Sequence, residues 1–199
     1  MPDALRVGLA ALIGLFLLVS TPVQAFDLGE LAGSLQLTER REIGFREERS
    51  LAALTSSVIS TGYFVFEPPG RLIKVMETPR RERATVENDR LTVSDEEGTE
   101  IASVDLASQP ALKQLFGGLL ALLSGNAEML RAAFNVSLSG GADDWRLDLT
   151  PKGRSEEGGP AGLERLVVTG GGGAMKTIGI READGDRTRI TLHRQAPPK

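Results

Sequence analysis

Residues 108–125, SQPALKQLFGGLLALLSG, decide how this chain is read, because they set a helical pattern in the middle of segments punctuated as strands. Ser108 reads as the helix cap and Pro110 as a first-turn residue, where a missing N–H is harmless. Leu112, Leu115, Phe116, Leu119, Leu120, Leu122 and Leu123 spread round more than one stripe. Only Lys113 and Gln114 are strongly polar, so nearly the whole helix requires cover. Gly117 and Gly118 each cost about 1 kcal/mol relative to Ala in mid-helix, which implies a close approach or a flexible point. Gly125 ends this helix, and Asn126 caps a second, short one through Phe134.

The flanks read as strands. Upstream, Ser60 to Glu67 is aromatic and β-branched, Pro68-Pro69-Gly70 turns the chain, and Arg71 to Thr78 alternates again, which predicts a hairpin. Arg80 to Glu87 and Arg90 to Ser94 flank a two-residue loop at Asn88-Asp89, and Thr99 to Val104 adds a further strand. An earlier strand runs from Glu42, where Ile43, Phe45, Glu47 and Arg49 alternate, and Leu51 to Leu54 close it. It is preceded by a short helix, Leu28 to Thr38, with Asp27 as cap and Glu30 in the capping-box position. Downstream come Asn135 to Ser139 and Asp144 to Pro151, in which Trp145, Leu147 and Leu149 oppose Arg146, Asp148 and Thr150. A polar loop over 152–162 leads to strands at Leu163 to Thr169, Ala174 to Glu182 and Arg187 to His193, the last two joined by Asp184-Gly185. The pattern predicts a mainly β (α+β) fold of about eleven antiparallel strands closed over by helices, with a frayed tail.

The first 25 residues read as an address. Arg6 precedes the apolar run Val7 to Val19, a polar break at Ser20-Thr21-Pro22, and the small-residue ending Val23-Gln24-Ala25. The run of 13 residues is well short of the about 18 or more expected of a spanning helix and fits a Sec signal peptide, cleaved to leave 26–199 as one exported domain, with an uncleaved membrane anchor as the alternative. With 23 Lys+Arg against 27 Asp+Glu the chain is weakly acidic, and aromatics make up 5%. That balance argues against a nucleic-acid partner. The absence of Cys excludes disulfides, thiolate metal sites, a Cys nucleophile and lipobox acylation.

Catalytic and metal signatures are weak. The run Gly170 to Gly173 opens a strand, whereas a phosphate loop opens a helix, so it reads as a loop or sheet bend. Asp184, Asp186 and Asp143-Asp144 lack the fixed offsets of a calcium loop and read as turn carboxylates. His193 has no nucleophile motif beside it, and Glu77, Glu82 and Glu87 interleave Arg80, Arg81 and Arg83 into a solvated face. No enzyme, metal or cofactor is expected. What stands out is apolar surface: the pair of strands dense in Tyr63, Phe64, Val65, Phe66, Leu72, Ile73, Val75 and Met76, and the leucine-rich helix. It makes either an ordinary core or a sheet curved round a lidded cavity with room for hydrocarbon.

The segment FREERSLAALTSSVISTGYFVFEPPGRLIKVMETP resembles the periplasmic lipoprotein carrier family LolA, through Phe45 to Glu47, Ser60 to Phe64, and Arg71 to Pro79. The later pieces Leu119 to Asn126, Trp145 to Pro151 and Ile180 to Leu192 are similar to a divergent branch of that family. The resemblance implies an incomplete antiparallel barrel with a helical lid over a hydrophobic cavity, and a non-enzymatic carrier. Its cavity residues would be Phe45, Phe64, Phe66, Leu72, Ile73, Val75 and Met76 on strands, with Leu112, Leu115, Phe116, Leu119, Leu120 and Leu123 on the lid. The partners implied are acylated lipoproteins or lipids, an inner-membrane release complex and an outer-membrane acceptor. The setting implied is the periplasm of a Gram-negative bacterium, and a monomer is expected. A lipid-binding accessory protein of an exporter and an RseB-like sensor are the alternative readings. One departure is visible: the family carriers hold the lid with an Arg before Pro, where this chain has Glu67 before Pro68.

Overall fold

The computed structural model of the chain describes residues 26–152 and 162–194. The expected export segment, most of the 152–162 loop and the tail from residue 195 lie outside the described residues. The chain opens with α1 (Leu28–Leu35) and then β1 (Arg41–Ser50), β2 (Val58–Glu67), β3 (Arg71–Thr78), β4 (Glu82–Glu87), β5 (Arg90–Ser94) and β6 (Glu100–Asp105). A helical connection, α2 (Pro110–Leu123) and α3 (Ala127–Ala133), leads to β7 (Phe134–Gly141). The remaining strands are β8 (Asp144–Pro151), β9 (Leu163–Gly171), β10 (Ala174–Glu182) and β11 (Arg187–His193).

All eleven strands form one sheet in the order β6-β5-β4-β3-β2-β1-β11-β10-β9-β8-β7. Two meanders, β1–β6 and β7–β11, are zipped together where β1 pairs antiparallel with β11, Phe45 opposite Leu192 and Glu47 opposite Ile190. The sheet is not closed: β6 and β7 are its two ends, and α2 and α3 carry the chain from one to the other. This is why a helix interrupts the strands in sequence. The only way from the outer edge of the first meander to the outer edge of the second is across the open side of the sheet.

Local chemistry fixes the elements where the pattern placed them. Asp27 caps α1 by accepting from the Glu30 N–H at 2.9 Å, while Glu30 accepts from the Asp27 N–H at 3.4 Å, completing the capping box. The first of these bonds holds the Asp27 carboxyl below its ordinary range. Asn88 and Asp89 take φ of 51° and 57°, the left-handed pair that a two-residue hairpin between β4 and β5 requires. Several boundaries differ by one or two residues from the sequence reading, and three differences have a local cause or consequence. Helix α1 ends at Leu35, short of Thr38, and β1 ends at Ser50, so Leu51–Leu54 belong to the turn. Gln109, not Ser108, stands at the cap of α2. The Ser108 hydroxyl instead donates to the Asp105 carbonyl at 2.7 Å, closing a 3-10 turn over Leu106–Ser108.

The main core lies between the helices and one face of the sheet, here called the inner face. Phe45, Trp145, Leu147, Leu149, Leu166, Val168, Ile178 and Ile190 meet Leu28, Leu31 and Leu35 of α1, Leu119 and Leu122 of α2 and Leu130 of α3. Among the described residues no helix is long and apolar enough to cross a membrane.

Candidate functional site

Helix α2 lies on the inner face with Leu119, Ala121, Leu122 and Leu123 buried, while Leu112, Leu115, Phe116 and Leu120 are only half-covered. Gly118 explains how closely it seats: a Cβ there would stand 3.1 Å from the Phe134 ring and 3.4 Å from Leu166. A Cβ on Gly117 would meet nothing, so the close approach belongs to Gly118 alone. The end of the helix is strapped to the segment after α1, since the Leu37 N–H donates to the Leu123 carbonyl at 2.8 Å.

Beneath the helix is an apolar cavity of about 30 Å³, walled by Ile43, Phe64, Phe66, Leu72, Leu119, Leu123, Met175, Ile178 and Leu192. It adjoins a wider mouth of about 300 Å³ that shares Ile43, Leu123, Met175 and Leu192 and adds Leu35 and Leu37, with Arg41, His193 and Arg194 at the rim. Ligand pockets usually measure about 300–1,000 Å³. The mouth is of that size, whereas the inner cavity holds about a tenth of its volume.

The sequence-predicted residues divide by strand face. Phe64, Phe66, Leu72, Leu119 and Leu123 meet at the inner cavity. Phe45 is fully buried below them, its ring centroid 4.8 Å from that of Phe64. Phe116 and Leu120 pack against Phe66, Leu72 and Leu123, and Leu115 packs against the main core. Met76 shares the inner face of β3 with Leu72 and is half-buried, and Leu112 is half-covered on the lid. Ile73 and Val75 do not line the interior. Successive strand side chains alternate, and these two form a separate cluster with Val65 and Tyr63 on the opposite face. Ile43, Met175, Ile178 and Leu192 line the cavity and were not singled out from sequence. For three of them the period-2 pattern held the signal, whereas Met175 is brought inward by a register shift between Met175 and Thr177.

The apolar inner surface continues past the lid. Register carries the inner face of β3 to Ala84 and Val86, then to Val93 and Leu91, then to Ala102 and Val104. Val86 is buried, but Ala84, Leu91, Val93 and Val104 are half-exposed and Ala102 is exposed.

Charged groups sit at defined places round this space. Lys74 lies on the inner face between Leu72 and Met76, 2.5 Å from Glu47 and 5.1 Å above the Phe45 ring. Glu67, at the position where the resembled carriers have Arg, accepts from Arg71 at 2.9 Å and from Arg40 at 3.3 Å. It therefore ties β2 to β3 and to the segment entering β1, while α2 is held by packing, by the Leu37 strap and by the ion pair of Lys113 with Asp89 of the β4–β5 turn at 3.4 Å. At the β10–β11 turn, carboxylate oxygens of Glu182, Asp184 and Asp186 lie within 4.8 Å of one another. Arg49 stands 3.3 Å from Asp186 and 3.8 Å from Glu182, and Asp186 also accepts the Ala52 N–H at 2.9 Å. The cation of this cluster is an arginine, and the cluster braces a hairpin. Burial pushes the Glu182 carboxyl above its ordinary value.

Compared with known families, residues 20–197 match the one described as outer membrane lipoprotein carrier protein LolA-like. No curated protein matches the chain. Among solved structures, a LolA superfamily protein from Nitrosomonas europaea is 12% identical, with 86% of this chain and 93% of that one covered and a TM-score of 0.46. A lipoprotein-sorting protein domain from Vibrio parahaemolyticus, described as a putative outer membrane one, is 9% identical over 86% of this chain and 92% of that one, with a TM-score of 0.40. The MucA/MucB complex of Pseudomonas aeruginosa contains a chain 12% identical, matched over 85% of this chain and 56% of that one at a TM-score of 0.39.

Proposed function

The chain belongs to the LolA-like family of outer membrane lipoprotein carrier proteins, and from that premise we propose that it is a non-catalytic periplasmic carrier that shelters the acyl chains of lipoproteins or lipids between α2 and the sheet. In this reading it receives them at an inner-membrane release complex and delivers them to an outer-membrane acceptor. The observation that carries the proposal is the apolar wall of Ile43, Leu123, Met175 and Leu192 that the 300 Å³ mouth shares with the inner cavity under the half-covered α2.

Energetics suit a carrier that must also let go. Loading the interior means lifting α2, which exposes Leu119, Leu122 and Leu123 at a cost of about 1.5–3 kcal/mol each, or about 5–9 kcal/mol together. An incoming acyl chain returns about 0.8 kcal/mol per buried methylene, so eight methylenes give about 6 kcal/mol and sixteen about 13 kcal/mol. Hydrocarbon thus replaces leucine in a nearly balanced exchange, and a modest push from a partner decides the direction.

The test is titration of the purified exported protein with a fluorescent fatty acid, together with native mass spectrometry of protein taken from a periplasmic extract. Leu120→Asp, on the half-covered side of the lid, is expected to keep the far-UV spectrum of the parent and lose at least tenfold in affinity, about 1.4 kcal/mol. Unchanged affinity in this variant, or no fatty-acid binding by the parent, would sink the carrier reading.

A further inference from the structure

The outer face of β8–β11 bears a basic cleft that the acyl site does not use. Strand register sets Arg165 of β9 opposite Arg181 of β10, and Arg181 opposite Arg187 of β11, so three arginines stand in one row across three strands. Neighbouring strands are about 4.8 Å apart, and like charges facing each other across a ladder are unfavourable. Arg189 and Arg146 stand on the same face in the next rows, and the five surround a cleft of about 640 Å³ floored by Val167, Thr169, Thr177 and Gly179. Asp148 answers Arg146 at 2.7 Å and Arg165 at 2.6 Å. Among the described residues Arg181, Arg187 and Arg189 form no ion pair. Glu48 also lines the cleft, opposite Arg189, and at the neighbouring β10–β11 turn Glu182 and Asp186 are taken up by Arg49, so the arginines still outnumber the carboxylates left to answer them although the chain carries a net charge of -4.

A second, independent feature lies at the same end of the sheet. Ser50, the last residue of β1, pairs with Arg187, and the β1–β2 turn begins immediately after it. Leu54, Val58 and Ile59 of this hairpin are 54%, 43% and 45% exposed. Ile59 pairs with Glu48, which pairs with Arg189, so Ile59 shares the arginine face. The tip is held by the Ser50 and Ser57 hydroxyls at 2.8 Å, by Asp186 on the Ala52 N–H, and by Leu54 N–H on the Leu51 carbonyl at 3.0 Å.

We propose that this end of the sheet docks on an anionic phospholipid bilayer, with Leu54 of the tip and Ile59 of the arginine face entering the acyl boundary and Arg165, Arg181, Arg187 and Arg189 binding lipid phosphates. Guanidinium forks match phosphate oxygens, and the combination of apolar anchors with a basic patch is what reversible membrane attachment requires. A soluble polyanion would answer the arginines and leave the apolar tip in water. A bilayer satisfies both features at once. The mouth rimmed by Arg41, His193 and Arg194 lies at the opposite ends of β1 and β11, so a docked molecule keeps it turned towards the aqueous side. Docking needs neither the cavity nor the lid, and it stands or falls apart from acyl binding.

Vesicle co-sedimentation of the purified exported protein tests this, using vesicles of phosphatidylcholine with phosphatidylglycerol and vesicles of phosphatidylcholine alone. Binding is expected only to the anionic vesicles and should weaken as salt is raised. Each arginine at such a surface contributes about fivefold, so Arg181→Gln with Arg187→Gln should weaken binding about thirtyfold. Leu54→Ser should weaken it about tenfold, while Leu120→Asp on the lid should leave it unchanged. Equal binding to both vesicle types, loss in the Leu120→Asp control, or no vesicle binding alongside arginine-dependent binding of poly-glutamate would overturn the proposal. The last result would assign the cleft to an acidic protein partner.

Discussion

Truncating Leu119 to Ala probes the lid and the cavity together. Leu119 is 7% exposed and forms part of the wall of the 30 Å³ cavity. The substitution removes three carbons from a packed apolar contact, about 2.4 kcal/mol at about 0.8 kcal/mol each. The enlarged void adds to this, giving an expected loss of about 3–4 kcal/mol. For a domain of this size each kcal/mol lowers the melting midpoint by about 2–4 °C, so the midpoint should fall by about 6–16 °C. Leu112→Ala, on the half-covered side and in no core cluster, should cost less than about 1 kcal/mol.

The same hole should then be filled by ligand. In the parent a hydrocarbon chain must displace α2 before it gains burial, whereas in Leu119→Ala part of the space is already open. Differential scanning fluorimetry with and without lauric acid is the assay. A ligand at a hundred times its dissociation constant stabilises by about 2.7 kcal/mol, so the variant should recover much of its loss at concentrations that move the parent little. A truncation that costs no more than Leu112→Ala would show that α2 is not seated as described. Equal ligand-induced shifts in variant and parent would show that the cavity under Leu119 is not the acyl site.

Two further expectations concern the sheet. Gly170→Ala should destabilise by about 3 kcal/mol, because the added carbon would stand 2.1 Å from the Ala174 carbonyl and 2.3 Å from the Trp145 ring, while Gly179→Ala, whose nearest contact is 3.8 Å, should be neutral or slightly stabilising; urea midpoints compare them. Burial raises the Glu182 carboxyl, so its contribution to stability is fully present below the ordinary Glu value and is lost as pH rises through the raised one. Glu182→Gln should therefore match the parent near pH 4 and exceed it near neutrality in chemical unfolding, within about 1 kcal/mol, and a gain confined to acid would contradict the assignment.

Strand content was legible because alternation and turn chemistry agreed: Asn88-Asp89, Pro68-Pro69-Gly70 and Asp184-Gly185 each mark a hairpin that forms. Helix α2 was legible from its leucines and Pro110, but its cap was not, since Ser108 had a closer acceptor in the Asp105 carbonyl. The cavity lining was half legible. Counting the apolar residues of β3 without separating its faces put Ile73 and Val75 beside Leu72, although alternation sends them to the other side. Lys74 on the inner face was hidden because its partner, Glu47, is brought to it only by the pairing of β1 with β2 and β2 with β3. The arginine row was hidden for the same reason, since Arg165, Arg181 and Arg187 become neighbours only once three strands are in register.

The unfinished seam between β6 and β7 gives α2 a dimension as well as a surface. Its 14 residues span about 21 Å, and they sit in the only covalent route from one free edge of the sheet to the other. The helix is therefore part of a tether between the two wings of the sheet, seated against β9 of the second and doubled back on α3. Lengthening it by one turn, about 5.4 Å, would add slack to that tether. The wings are thus joined by hydrogen bonds at β1–β11 and by a helical tether between β6 and β7, so the second seam is the one that can spread without breaking a strand pair.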